Sequence, residues 1–340
     1  MASPQNQTKE TLGVAPGSAV AAPRRGPSWT NWVIGVQGPL VGLVLLCVVF
    51  SFSTNNAFLS VRNALNVLDQ VTVLGILAIG MTAVIVSGGI DLSVGSVLAF
   101  SMMITGWLSH DCGLPLLLAI VLGIMVGAAC GLANGLLVTK AKLPPFIATL
   151  SMMTIARGLA NIITDGRQIV GYPEWFDSLA TVRYFGFFSL TVALFIILVI
   201  LSWMHLGYRA QGRSLYAIGG SPEVARLAGI HVQSMTTWVY VGSGILSAVA
   251  AIVLASRLDS SQPSAGLGYE LDAIAAVVIG GASLSGGVGG IAGTVVGVFI
   301  IGVLHNGLNL VGVSPFIQQV VIGVVIALAV SSDTLRRRSS

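Results

Sequence analysis

Apolar residues in this chain come in long continuous runs, and polar residues collect in the gaps between them. A helix that crosses a bilayer needs about 20 predominantly apolar residues. Ten such intervals are predicted: 33–52, 68–87, 93–109, 114–138, 144–163, 187–206, 234–256, 271–284, 292–311 and 316–332. The third and eighth are short and flanked by glycine. Continuous runs point to helices, because barrel strands alternate apolar with polar positions. The expected fold is an all-α integral membrane protein with about ten transmembrane helices. Residues 1–32 form a disordered cytoplasmic tail, 33–332 the membrane domain and 333–340 a basic cytoplasmic tail. The polar stretch 1–28 is too long a lead for a cleavable signal peptide, so the first run is expected to stay as an anchor.

Basic residues orient the runs. With the N-terminus inside, Lys9, Arg24, Arg25, Lys140, Lys142, Arg209, Arg213, Arg226, Arg336, Arg337 and Arg338 lie inside. Only Arg62, Arg167, Arg183 and Arg257 lie outside, which is the bias of the positive-inside rule. Both termini are then cytoplasmic, and the loops 164–186 and 257–270 lie outside. Trp32, Trp107, Trp203 and Trp238 fall near predicted span ends, where an interfacial aromatic belt belongs.

The same topology puts a charged island, 207–232, in the cytoplasm. Within it Ser221 can cap a short helix, Pro222 suits its first position, Glu223 favours its positive end and Gly229 ends it. Ala225 and Arg226 lie inside that helix. Two readings stand: a helix presented to a soluble motor subunit, or a well-ordered loop.

Composition agrees with the pattern. The chain is 55% hydrophobic and 8% charged, against roughly a quarter charged for a soluble domain. Its net charge of +4 is loop bias. Cys47, Cys112 and Cys130 form neither an even framework nor a CxxC pair; Cys47 and Cys130 read as small core residues. The four histidines show no metal-ligand spacing.

The 42 glycines add two features. Gly123, Gly127, Gly131 and Gly135 make one smooth helical face, the small-residue stripe that lets backbones approach closely. Residues 83–95 also echo residues 275–287, and both copies interrupt an apolar run with a Gly-Gly pair: Gly88-Gly89 and Gly280-Gly281. Paired interruptions in two halves point to a transport pathway. Asp91, Ser93, Ser283 and Ser285 flank the pairs and join them as gating or pathway candidates.

Ionisable groups in spans are costly and need a role. Asp91 either caps the third span or serves a gate or ligand. Asp69 and Asp272 are expected to be interfacial caps at span starts. Arg157 lies about 18 Å beyond Pro145 in a hydrocarbon core of roughly 30 Å. It is expected to snorkel outward, to pair with an acid such as Asp165, or to contact solute. Asn134, Asn306 and Asn309 are neutral polar groups that suit either a hydroxyl-rich solute or interhelical hydrogen bonds.

Enzyme signatures are missing. Lys9, Lys140 and Lys142 are the only lysines, and none follows a glycine-rich loop, so no P-loop exists. Gly287-Val288-Gly289-Gly290-Ile291-Ala292 matches a dinucleotide pattern but sits between two spans without the required strand. No HExxH or GxSxG occurs. No catalytic residue, metal site or cofactor is expected in this chain.

Several segments resemble the ribose-type branch of bacterial ABC-importer permeases: Ser87-Gly88-Gly89-Ile90-Asp91-Leu92-Ser93-Val94-Gly95, Asn134-Gly135-Leu136, Leu143-Pro144-Pro145-Phe146, Ala156-Arg157-Gly158, Tyr216 to Glu223, and Val278 to Gly287. The resemblance runs in order from about 65 to 330. It implies a type II-like importer architecture in the bacterial inner membrane. It implies import of a pentose, hexose or related polyol, a second permease copy or paralogue, and a periplasmic sugar-binding protein. It also implies a cytoplasmic ATPase that holds the ATP and magnesium. A degenerate E-x-A-x3-G coupling motif falls on Glu223, Ala225 and Gly229. The rivals are an ABC permease for a branched-chain amino acid or nucleoside, a stand-alone facilitator, and a non-transporting scaffold.

Overall fold

The computed structural model describes residues 29–54 and 57–338. The tail 1–28, with Lys9, Arg24 and Arg25, lies outside the described residues, as do Ser339, Ser340 and the Trp32 side chain. The elements in chain order are α1 (Trp29–Ser53), α2 (Val61–Val86), α3 (Val94–His110), α4 (Leu116–Thr139), α5 (Pro145–Ile162), β1 (Ile169–Val170), α6 (Glu174–Thr181), α7 (Leu190–Tyr208), α8 (Ala210–Gly220), α9 (Pro222–Leu227), α10 (Val232–Leu258), β2 (Ser260–Ser261), α11 (Tyr269–Ile279), α12 (Ile291–Leu310) and α13 (Pro315–Arg338).

Every predicted apolar interval falls on a helix. Among the described residues, α2, α4, α7, α10 and α12 are long and apolar enough to cross a membrane. The eighth interval is corrected: α11 stops at Ile279, short of 284, because Gly281 turns at φ 93° and Gly286 and Gly287 follow at φ 84° and 74°. Eleven residues span about 16 Å, roughly half the hydrocarbon core. At the C-terminal end, 333–338 continues α13.

The bundle is built around α2, which is buried along most of its length and packs on α7, α10, α11 and α12. The most extensive pairing is α4 against α10. A Cβ at Gly127 would stand 2.6 Å from the Ala248 Cβ, and one at Gly135 would stand 2.8 Å from the Thr237 Cα. Gly131 faces the Tyr240 and Val241 backbone, while Gly123 faces Ser101 and Thr105 of α3. The four glycines thus lie where two helices approach within backbone contact.

At the opposite end from α8 and α9, the loops expected outside meet. β1 and β2 pair antiparallel, Ile169 with Ser261 and Val170 with Ser260. The Tyr172 hydroxyl bonds Ser261 Oγ at 2.6 Å, and burial raises its pKa above the usual tyrosine value. α6 seats Phe176 in the core, and its carbonyl accepts from Ser256 Oγ.

Candidate functional site: two broken helices under a presented helix

The first break follows Val86. Gly88 turns at φ 85°, and Gly89 donates its N–H to the Val84 carbonyl. Asp91 is 2% exposed. Its Oδ1 accepts from Ser93 N at 3.0 Å and Ser93 Oγ at 2.6 Å, and its Oδ2 from Ser243 Oγ at 2.8 Å. Asn134 Nδ2 donates to Ser93 Oγ at 2.8 Å. The capping expectation is therefore corrected. Ser93 occupies the N-cap position, and Asp91, two residues earlier, holds a turn and ties it to α10. No cation pairs with this buried carboxylate among the described residues.

The second break runs from Gly280 to Gly290. Ser283 is buried, its N–H bonds the Val288 carbonyl, and its hydroxyl accepts from Ser285 N at 3.4 Å. Gly280 lies against Gly293 of α12 so closely that a Cβ would strike backbone.

The two breaks touch. Gly287 N donates to the Val86 carbonyl at 2.9 Å. A Cβ on Gly286 would stand 2.9 Å from both the Gly88 Cα and the Gly219 Cα. Gly219 is the penultimate residue of α8, and Tyr216 one turn earlier donates its hydroxyl to the Gly289 carbonyl at 2.9 Å. Irregular backbone at membrane depth must be paired or covered by protein. Here α8 does the covering.

From that seat the chain passes directly into α9. Ser221 Oγ accepts from Val224 N, Pro222 takes the first position, and Gly229 turns at φ 83°. Gly229 N bonds the Arg226 carbonyl and Ile230 N the Ala225 carbonyl, a complete Schellman ending. Ala225 faces inward at 1% exposure, while Val224 and Leu227 stand 64% and 85% exposed beside Glu223 and Arg226. The island therefore holds a short capped helix with exposed apolar residues. α8 escaped the sequence reading, although Gly212, Leu215 and Ile218 mark its buried face.

The other candidates lie elsewhere. Arg157 does not pair with Asp165: its Nη1 donates to the Pro263 and Ala265 carbonyls at 2.5 and 2.8 Å. Proline leaves the loop around 263 short of internal donors, and the guanidinium supplies them. The Asn306 and Asn63 side-chain amides exchange two hydrogen bonds of 2.9 Å, each Nδ2 donating to the other's Oδ1. Asn309 Oδ1 accepts from Gln318 Nε2 at 2.8 Å. These amides join helices, away from the breaks. Asp69 is no terminal cap: it lies inside α2 and takes a two-pronged ion pair from Arg183. Asp272, in the first turn of α11, bonds His305 Nε2 at 3.2 Å. Among the described residues no group of His, Cys, Asp and Glu could hold a metal.

A largely helical bundle with two touching helix breaks and a short exposed helix beside them is the architecture of a membrane permease subunit. The chain belongs to the branched-chain amino acid transport system / permease component family, whose model matches residues 63–330. It is 47% identical over 304 residues to the ribose import permease protein RbsC of Bacillus subtilis, covering 89% of this chain and 93% of that one. It is 37% identical to the fructose import permease protein FrcC of Rhizobium meliloti, covering 88% and 85%. It is 34% identical to the xylose transport system permease protein XylH of Escherichia coli, covering 88% and 92%. No solved structure matches the chain. The protein is a multi-pass protein of the inner membrane.

Proposed function

We propose that this chain is the membrane subunit of an ATP-driven importer for a monosaccharide, a pentose, hexose or related polyol. The observation that carries the coupling is the seat of α8 between the two breaks, continuous with the exposed apolar residues Val224 and Leu227 of α9. A separate cytoplasmic ATPase, holding ATP and magnesium, grips α9. Closure of two ATPase subunits pulls α8, and α8 moves the turns at Gly88 and Gly286. Two permease copies, or this chain and a paralogue, rock against each other and open outward. A periplasmic binding protein then releases sugar into the path. The drive is the differential affinity of the partners for the two states, so no tight sugar site is required here.

The sugar assignment rests on the names of the relatives. The family's own description names branched-chain amino acids, which makes that solute class the second reading. Uptake of labelled ribose into cells expressing the full system, with xylose, fructose and leucine as competitors, separates the two. Competition by a sugar and none by leucine supports the proposal. The reverse sinks it. Purification of the tagged chain in mild detergent tests the coupling half: a P-loop ATPase should come with it and be lost when 221–230 is scrambled. Solute flux in liposomes without ATP would favour a facilitator.

A further inference from the structure

A crevice of about 700 Å³ opens between α2, α7, α8 and α10. Leu215 of α8 lines it one turn before Gly219, on the face of α8 that meets the two breaks. Its mouth holds Arg209, Gln211 and His205, all exposed, at the junction of α7 and α8. Elsewhere its lining is largely apolar, with Ile79, Ala83, Leu246 and the exposed Leu201. Leu201 lies eight residues before Arg209, about 12 Å along α7, so polar and apolar lining are separated along the helix axis. No Asp or Glu lines the crevice. Arg209 enters no ion pair among the described residues. Arg213, one turn further on, donates to the Tyr208 carbonyl and keeps a second guanidinium at the same junction.

The flanks carry the marks of a bilayer interface. Trp238 lines the crevice at 68% exposure, and Trp203 packs edge-on against Tyr208 with ring centroids 5.2 Å apart. Aromatic rings of this kind sit at headgroup level. The outer face of α7 continues the surface with exposed Ile196, Ile197, Ile200 and Met204. A permanently charged guanidinium at the rim of an apolar slot, with no acid to pair it, matches one class of occupant.

We propose that this crevice binds an anionic glycerophospholipid of the cytoplasmic leaflet, its phosphate on Arg209 and an acyl chain along α2 and α10. The assignment rests on the membrane topology and not on the transported solute. Leu215 of α8 lines the same crevice and is buried against it. A lipid seated there therefore braces the helix that reaches the two breaks.

The test is native mass spectrometry of the full chain, delipidated and then exposed to phosphatidylglycerol or phosphatidylcholine. One retained phosphatidylglycerol per chain is expected, in preference to phosphatidylcholine. Arg209→Gln should weaken that retention about fivefold, the scale set by one basic residue against an anionic lipid surface. Gly242→Leu fills the crevice from α10. A Cβ there meets nothing within 4 Å, and an unchanged melting temperature checks that the fold is kept while the acyl chain is expelled. Arg226→Gln, on α9 outside the crevice, should leave retention unchanged. Equal retention of the two lipids, unchanged phosphatidylglycerol binding in both crevice variants, or equal competition by glycerol phosphate would overturn the proposal. So would efficient cross-linking between two copies through a Gly242→Cys variant, which would put a second chain in the crevice.

Discussion

Gly287 donates its backbone N–H to the carbonyl of Val86 at 2.9 Å, although 201 residues separate them. Val86 closes α2, and its carbonyl is among those a helix end leaves without an internal partner. Gly287, in the left-handed region at φ 74°, supplies the donor. Each break thus satisfies the other, and neither can move without releasing a hydrogen bond.

Gly219→Ala should disconnect this junction. The added Cβ would strike the Val86 carbonyl and the Gly287 nitrogen, both backbone, so neither can swing away. Overpacking of this kind costs about 1–3 kcal/mol. A lower melting temperature and lost transport are expected. The neighbouring Gly220→Ala meets nothing within 4 Å and should behave as wild type in both assays. Equal behaviour of the pair would remove the case for α8 as the transmitting element.

Truncating Asp91 should harm folding more than neutralising it. Asp91→Ala leaves the Ser93 N–H and the Ser243 hydroxyl without their acceptor, at about 1–3 kcal/mol for each buried group left unpaired. Asp91→Asn keeps an acceptor for Ser93, and its amide can donate to Ser243. Thermal unfolding in detergent, followed by size exclusion, should rank wild type above Asn and Asn above Ala. Asn and Ala variants of equal stability would contradict the network.

Arg157→Met should loosen the outer loop and leave the helices intact. Loss of the guanidinium strips the Pro263 and Ala265 carbonyls of their donor. Faster hydrogen exchange across 259–268 is expected, with α5 and α11 unchanged. Asp165→Ala should have no such effect, because Arg157 does not reach it. Matching exchange in the two variants would restore the acid as the partner.

Charge on α9 should abolish partner binding without touching the fold. Val224 and Leu227 are exposed in the chain alone, and buried apolar anchors of an interface cost 2 kcal/mol or more on the order of hot-spot truncations. Leu227→Asp should cut ATPase recovery and ATPase stimulation while insertion and melting temperature hold. Gly229→Pro should do the same by a different route, since proline cannot adopt the φ of 83° that ends α9. Glu223→Ala is expected to weaken transport as well. Normal transport in all three would discard the coupling assignment.

What the sequence determined is local. Apolar run length placed the helices, because in lipid each backbone must satisfy itself within its own segment. The start and stop of α9 were legible because a cap at Ser221, a proline at 222 and a left-handed glycine at 229 act over a few residues. The Gly-Gly interruptions were visible for the same reason. Tertiary structure decided the pairings. Arg157 had several possible partners, and the nearest carbonyls came from a loop more than a hundred residues away. Asn306 met Asn63 and not a solute. α8 read as loop because only its buried Leu215 and Ile218 face, packed over the breaks, makes it a helix worth forming. That Gly287 should find Val86 depends on which helices α2 and α11 pack against, and close approach of distant backbones leaves no trace in one sequence beyond the small residues that permit it.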